Sequence, residues 1–218
     1  MRTLNIKNHD IERLLDELLY ATDSISYRNA FYGIGMQLGT ILNTKINESQ
    51  PIALACASED ADWLAKGIMD KFKYPLDLCV YWSNRQNFGT DSNNSALEFA
   101  DIEKSYEEIQ KDSKILIITK SIISSSCVIK SQIMRLVSTN DLKKIYIVSP
   151  VMYKDAEENL RKEFPERVYN LFEFIYFALD EDMDKNGWVV PGIGGSVYER
   201  LGIDSRSYFP RILDDRIP

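Results

Sequence analysis

Apolar positions along the chain follow two different periods, and the change from one to the other marks its organisation. Ile11, Leu14, Leu15, Leu18 and Leu19 recur at helical spacing behind Asn8 and Asp10, either of which can cap, so residues 10–20 predict an amphipathic helix. After the T-D-S-I-S break, Ser26 is a candidate cap for a second helix whose buried stripe is Phe31, Ile34, Leu38, Ile41 and Leu42. Gly33, Gly35 and Gly39 lie on that helix with no strand ahead of them. Their spacing is not a dinucleotide fingerprint, and close helix packing is favoured over phosphate binding.

From Pro51 onward short apolar runs alternate with helical segments. The runs are P-I-A-L-A-C-A, L-D-L-C-V-Y-W, K-I-L-I-I-T, K-K-I-Y-I-V-S-P and L-F-E-F-I-Y-F-A-L, and residues 63–72, 127–137 and 155–163 read as helices between them. Runs that are apolar on both faces imply parallel strands with helices crossing over them. The expectation is a single α/β domain over residues 1–218 with a mainly parallel central sheet flanked by helices. Its N-terminal helices occupy 1–48, and 203–218 forms a C-terminal extension. Residues 83–96, S-N-R-Q-N-F-G-T-D-S-N-N-S-A, are too polar for a strand core and read as an exposed loop or arm. Residues 101–111, with Ile102, Tyr106 and Ile109, read as a short helix.

Composition narrows the partners. A chain of 218 residues that is 44% hydrophobic can bury the core of one large domain. Its 26 basic and 33 acidic residues leave a formal net charge of -7, which supplies no general attraction to nucleic acid or to anionic membranes. Cys56, Cys79 and Cys127 are widely spaced with no CxxC among them, which suits a reducing cytoplasm. The single histidine, His9, sits in a polar stretch and does not suggest a zinc site. No 18-residue apolar run and no apolar signal core at the N-terminus are present, so a cytoplasmic protein with no membrane partner is expected.

Candidate chemistry centres on residues 186–202, N-G-W-V-V-P-G-I-G-G-S-V-Y-E-R-L-G. Pro191 fixes φ, while Gly192, Gly194 and Gly195 leave backbone groups uncovered, as either a ligand loop or a surface turn would need. Ligands of parallel sheets bind beyond the carboxyl ends of the strands, which adds the loops at 57–63 and 119–128.

The stretch F-A-L-D-E-D-M-D-K-N-G-W-V-V-P-G-I-G resembles the C-terminal half of uracil phosphoribosyltransferases. There an acidic, Asn/Gly-ended segment leads to an aromatic residue, two aliphatics and Pro-Gly-Leu/Ile-Gly. I-L-I-I-T-K-S-I-I-S-S-S-C-V stands in the place of that family's phosphoribosyl diphosphate loop, a strand followed by Asp-Pro-Met-Leu-Ala-Thr-Gly-Gly. F-Y-G-I-G-M-Q-L-G-T-I-L is similar to its early helix, and together the matches span about residues 20–202. The resemblance implies a type I phosphoribosyltransferase fold and a homodimer. It also implies a reaction in which uracil attacks C1 of 5-phosphoribosyl-1-diphosphate, with magnesium, to give UMP and diphosphate.

Carried over residue by residue, the resemblance places Val190, Gly192 and Gly194 where backbone groups hold uracil. Gly195 stands where the family has an Asp associated with the phosphoribosyl diphosphate and magnesium. Thr119 and Lys120 stand at its Asp-Pro, Ser124 at its loop Thr, and Ser125 and Ser126 at its two glycines. Ser124 to Cys127 then form a polar helix start that either binds an anion through N–H groups and hydroxyls or simply caps the helix. Ser58, Glu59 and Asp60 replace the Arg-Ala-Gly of the diphosphate loop, with Asp62 following. Such carboxylates repel a diphosphate, or serve the helix dipole. Trp82 takes the place of a second Arg, for which Arg85 is a candidate substitute.

The expected function is a uracil phosphoribosyltransferase-like protein that has lost the standard reaction and acts as a nucleotide-binding sensor or assembly subunit. The alternatives are an active uracil phosphoribosyltransferase with rearranged charges, using magnesium, and a structural or nucleic-acid-associated subunit. Arg206, Tyr208, Phe209, Arg211 and Arg216 suit the extension to a protein or nucleic-acid partner. Tyr208, Phe209, Ile212 and Leu213 favour its packing back onto the domain.

Overall fold

The computed structural model describes residues 1–47, 50–90, 96–110, 112–125, 127–204 and 207–217, with backbone alone for 85–90 and 96–99. Ser126, Arg206 and the Arg85 side chain therefore lie outside the described residues.

Five parallel strands carry the fold: β2 (Ile52–Ala57), β3 (Asp77–Thr90), β5 (Ile115–Thr119), β7 (Lys144–Tyr153) and β8 (Phe172–Asp180). Their spatial order is β3-β2-β5-β7-β8. Outside β8 lies the antiparallel β1 (Arg2–Leu4), outside β3 the antiparallel β4 (Ala96–Glu107), and the short β6 (Ile122–Ile123) runs beside β7. The chain steps from β2 to β3 on one side, then returns to place β5 on the other side of β2. That reversal opens a crevice beyond the carboxyl ends of β2 and β5, the position where parallel sheets bind ligands.

Both faces of the sheet are covered, as continuous apolar strands require. Ile52, Leu54, Cys56, Leu78 and Val80 join a core with α1 (His9–Tyr20), α2 (Ser24–Lys45) and α4 (Lys66–Lys71). Ala53, Ala55, Cys79, Tyr81, Leu116 and Ile118 join a second core with α5 (Cys127–Val137) and α6 (Ala156–Glu163). A short α3 (Ser58–Asp60) and a π-turn (Ala61–Ala65) lead into α4. Gly35 of α2 and Gly67 of α4 let these helices pack closely: a Cβ on Gly35 would lie 2.3 Å from the Leu64 carbonyl oxygen, and one on Gly67 2.3 Å from that of Tyr32.

The structure corrects three local expectations. Asp23, not Ser26, caps α2, because its carboxylate accepts the N–H groups of Ile25 and Ser26 at 2.9 Å and the Ser26 hydroxyl at 2.8 Å. Residues 83–90 continue β3 instead of forming a loop, and 96–107 form its antiparallel partner. The helix expected at 101–111 is therefore mostly strand. Ile102 and Tyr106 are four apart, a spacing that satisfies the period of 2 as well as that of 3.6. Residues as polar as 83–90 persist as strand because an edge pair needs backbone partners more than it needs two apolar faces, and 91–95 of the expected arm lie outside the described residues.

The described part of the extension packs onto its own domain. Tyr208 stacks on Trp63 at 6.1 Å, Phe209 on Trp82 at 6.1 Å, and Trp82 Nε1 donates to the Tyr208 carbonyl at 2.7 Å. Asp62 accepts the Arg211 and Ile212 N–H groups at 2.9 and 2.8 Å and also the Tyr208 hydroxyl. Among the described residues no helix is long and apolar enough to cross a membrane.

Candidate functional site

Beyond the ends of β2 and β5 lies a cleft of about 290 Å³. One wall comes from the turns after these strands and the other from residues 187–198. β2 ends at Ala57 and turns at once into helix, so Glu59 and Asp60 stand on its first turn, where carboxylates favour the helix dipole. β5 ends at Thr119, and Lys120 follows in register, its N–H bonded to the Val148 carbonyl at 3.1 Å.

These two turns meet through a buried ion cluster. Lys120 Nζ donates to Glu59 Oε1 at 2.9 Å, to Asp60 Oδ2 at 2.9 Å and to Ser121 Oγ at 3.3 Å. The side chains of Lys120, Glu59 and Asp60 are 9%, 12% and 1% exposed, so little water screens the contact. Glu59 Oε2 also accepts the Tyr198 hydroxyl at 3.0 Å, which ties the cluster to the opposite wall.

Burial works against the Lys120 ammonium, but the charges of Asp60 and Glu59 outweigh it and hold the group above the ordinary lysine value. Burial also works against ionised Glu59. The charge and hydrogen bond of Lys120, with the Tyr198 hydroxyl, overcome it and leave Glu59 below its ordinary range. For Asp60 burial dominates and the Glu59 charge adds to it, so its carboxyl is raised in spite of Lys120. Burial and the neighbouring Glu59 likewise raise the Tyr198 phenol.

The second wall is held from behind. Val190 and Pro191 are joined by a cis peptide bond, and Gly192, Gly194 and Gly195 all take positive φ. Arg2 and Asp180 form a bidentate pair at 2.7 and 2.8 Å. The fully buried Asp180 accepts the Gly192 N–H at 2.8 Å, and Arg2 donates to the Gly192 carbonyl. Tyr27 donates its hydroxyl to the Ile193 carbonyl at 2.8 Å. Arg200 lies over the Tyr27 ring at 4.7 Å and donates to the Leu18 carbonyl, turned onto α1 and α2. Asp184 accepts the N–H groups of Asn186 and Trp188 at 2.9 Å each, fixing the turn that presents Trp188 to the cleft.

The cleft brings together Glu59, Lys120, Ser124 and Gly195 from the sequence-derived candidates. Ser58, Asp60 and Thr119 are buried behind its surface. Gly192 has both backbone polar groups committed to Asp180 and Arg2. A Cβ on Gly194 would lie 2.7 Å from the Leu18 carbonyl oxygen, so this residue packs against α1. Val190 is paired with Asp182 in the small hairpin β9 (Asp182–Met183) and β10 (Val189–Val190), with its side chain exposed. Ser125 Oγ and Cys127 Sγ lie 3.3 Å apart, and Cys127 is buried beside Ala100 and Val128. Ile122 and Ile123 pin the loop between Lys120 and Ser124 to β7.

Sequence reading gave no role to Ser121, Trp188 or Tyr198, all of which line the cleft. The available signal was Ser196 preceding the short helix α8 (Val197–Leu201), which sets the Tyr198 hydroxyl near the turn after β2. The donor set does not suit a diphosphate-bound magnesium ion. The carboxylates of the crevice already hold an ammonium, and the described residues contain no group of three or more His, Cys, Asp or Glu able to hold a metal.

No protein-family model and no curated protein matches the sequence. Solved structures do match its fold. The AQ2163 protein from Aquifex aeolicus superposes with a TM-score of 0.69 at 12% identity, over 93% of this chain and 98% of that one. The adenine phosphoribosyl transferase from Trypanosoma brucei, solved with AMP, pyrophosphate and ribose-5-phosphate, superposes with a TM-score of 0.54 at 9% identity, over 98% of this chain and 94% of that one. The chain therefore has the type I phosphoribosyltransferase fold, a mostly parallel sheet flanked by helices.

Proposed function

We propose that this chain is a phosphoribosyltransferase-like protein that has lost the standard transfer reaction. On this reading it acts by binding a ligand of the nucleobase, nucleoside or nucleotide class, as a sensor or an assembly subunit, and works as a cytoplasmic homodimer. The observation that carries the reading is the Lys120–Glu59–Asp60 cluster at the crevice where the strand order reverses. Transfer from 5-phosphoribosyl-1-diphosphate develops charge on a leaving diphosphate and on an oxocarbenium-like ribose, and both need fixed complementary groups. Here the cation that faces the crevice is already engaged, and the accompanying carboxylates oppose a polyanion. Each missing charge-assisted hydrogen bond removes about 1.5–3 kcal/mol of stabilisation.

A pyrimidine-sized ligand suits the remaining space, and the Pro-Gly segment's likeness to uracil phosphoribosyltransferases makes uracil compounds the first to try. The test is to incubate the purified protein with magnesium, 5-phosphoribosyl-1-diphosphate and labelled uracil. The expected result is no UMP above the uncatalysed background, and steady UMP formation overturns the reading.

A further inference from the structure

Within the proposed ligand class, and resting on that reading, the lining of the cleft carries a choice between phosphorylated and unphosphorylated ligands. Among the described residues Lys120 supplies the cationic side chain of the lining. An ammonium has three N–H donors, and those of Lys120 go to Glu59, Asp60 and Ser121. None is left over for a phosphate oxygen. Glu59 lines the same cleft as a carboxylate, and each of its oxygens accepts one hydrogen bond, leaving lone pairs for further donors. Asp60, 1% exposed directly behind, keeps Oδ1 without a partner among the described residues. The cluster thus has one positive and two negative charges and an excess of acceptors. Opposite it, Trp188, Val189 and Ile193 offer an indole and two aliphatic side chains to a flat ring.

We infer that the cleft selects an unphosphorylated heteroaromatic ligand bearing N–H donors, a free base or a nucleoside, and rejects its 5′-phosphate, with Glu59 as the selecting group. A ring N–H or amino group finds acceptors on Glu59 and the neighbouring serines. A phosphate brings up to two more negative charges to a low-dielectric cleft whose ammonium is already satisfied.

Calorimetric titration of the unmodified 218-residue chain with uridine, UMP, adenosine and AMP, without magnesium, tests this. At least one nucleoside is expected to bind, and to bind at least about 10-fold more tightly than its monophosphate. E59Q, which keeps the Lys120–Asp60 pair, is expected to narrow that ratio to within about 3-fold. If E59Q does not fold, the uncharged 5′-dimethyl phosphate ester of each nucleoside is titrated against the unmodified protein instead, and it is expected to bind more tightly than the charged monophosphate. Equal or tighter binding of the monophosphate overturns the inference. So does a ratio indifferent to E59Q, an uncharged ester rejected as strongly as the monophosphate, or failure of all four compounds to bind at millimolar concentration. Each of these results leaves the loss of transfer standing, because that reading fails only if UMP is formed.

Discussion

The two walls of the cleft both come from loops, yet they use their polar groups in opposite ways. After β2 and β5 the side chains themselves turn to one another: Lys120 closes onto Glu59 and Asp60, and the wall is a finished ion cluster. In residues 187–198 the side chains at the cleft are small or apolar apart from Tyr198, whose hydroxyl reaches Glu59, while the backbone is anchored from behind by Arg2, Asp180 and Tyr27. One wall pairs its charges with one another. The other remains a rigid surface fit for a flat, uncharged ring. On the proposed reading the fold keeps its ligand crevice without the electrostatics of the transfer reaction, because the two depend on different loops.

The sharpest way to break the contrast is to empty the first wall. K120M leaves two carboxylates buried without a counter-charge and is expected to cost about 3–5 kcal/mol of stability, read as a lower urea midpoint at unchanged slope. The triple variant K120M/E59Q/D60N removes all three charges together and is expected to recover most of that loss. Equal losses in the two variants would mean that packing, not charge pairing, holds this wall. A smaller effect is expected behind the second wall. D180N weakens the pairing with Arg2 and the acceptor for the Gly192 N–H, a loss of about 1.5–3 kcal/mol in the same urea titration. Its cleft should loosen in residues 187–198 while the Lys120 cluster is untouched, which amide exchange resolves. Smallest is the effect of D62A, which removes the cap from the Arg211 and Ile212 amides and is expected to cost about 1 kcal/mol. Faster exchange at those two amides, with the cleft unchanged, would place the extension outside the site.

Much of the fold was legible because apolar runs such as 52–57 and 115–119 are buried on both faces and alternate with helical stripes. The arm was not, since polar residues 83–90 hold strand geometry through backbone pairing that leaves no apolar signature. At the site, the Pro-Gly loop and the turn after β5 were visible as sequence features, and four of the chosen residues do line the cleft. What sequence could not give was the pairing across 61 residues that joins Lys120 to Glu59. Read singly, Glu59 and Asp60 look like helix-dipole charges and Lys120 like a replaced proline; only the adjacency of β2 and β5 makes them one cluster. Ser196 marks the helix that carries Tyr198, but the Tyr198–Glu59 contact was hidden for the same reason, because the two lie 139 residues apart.

The phosphoribosyltransferase fold is proposed to persist here without its transfer chemistry. Release of diphosphate and formation of UMP, followed together from labelled uracil and 5-phosphoribosyl-1-diphosphate with magnesium, measure that chemistry directly. Neither product is expected above background with the unmodified protein. Turnover at the ordinary enzymatic scale of about 1 s⁻¹ or faster would contradict it, and would require the Lys120–Glu59–Asp60 cluster to open during the reaction.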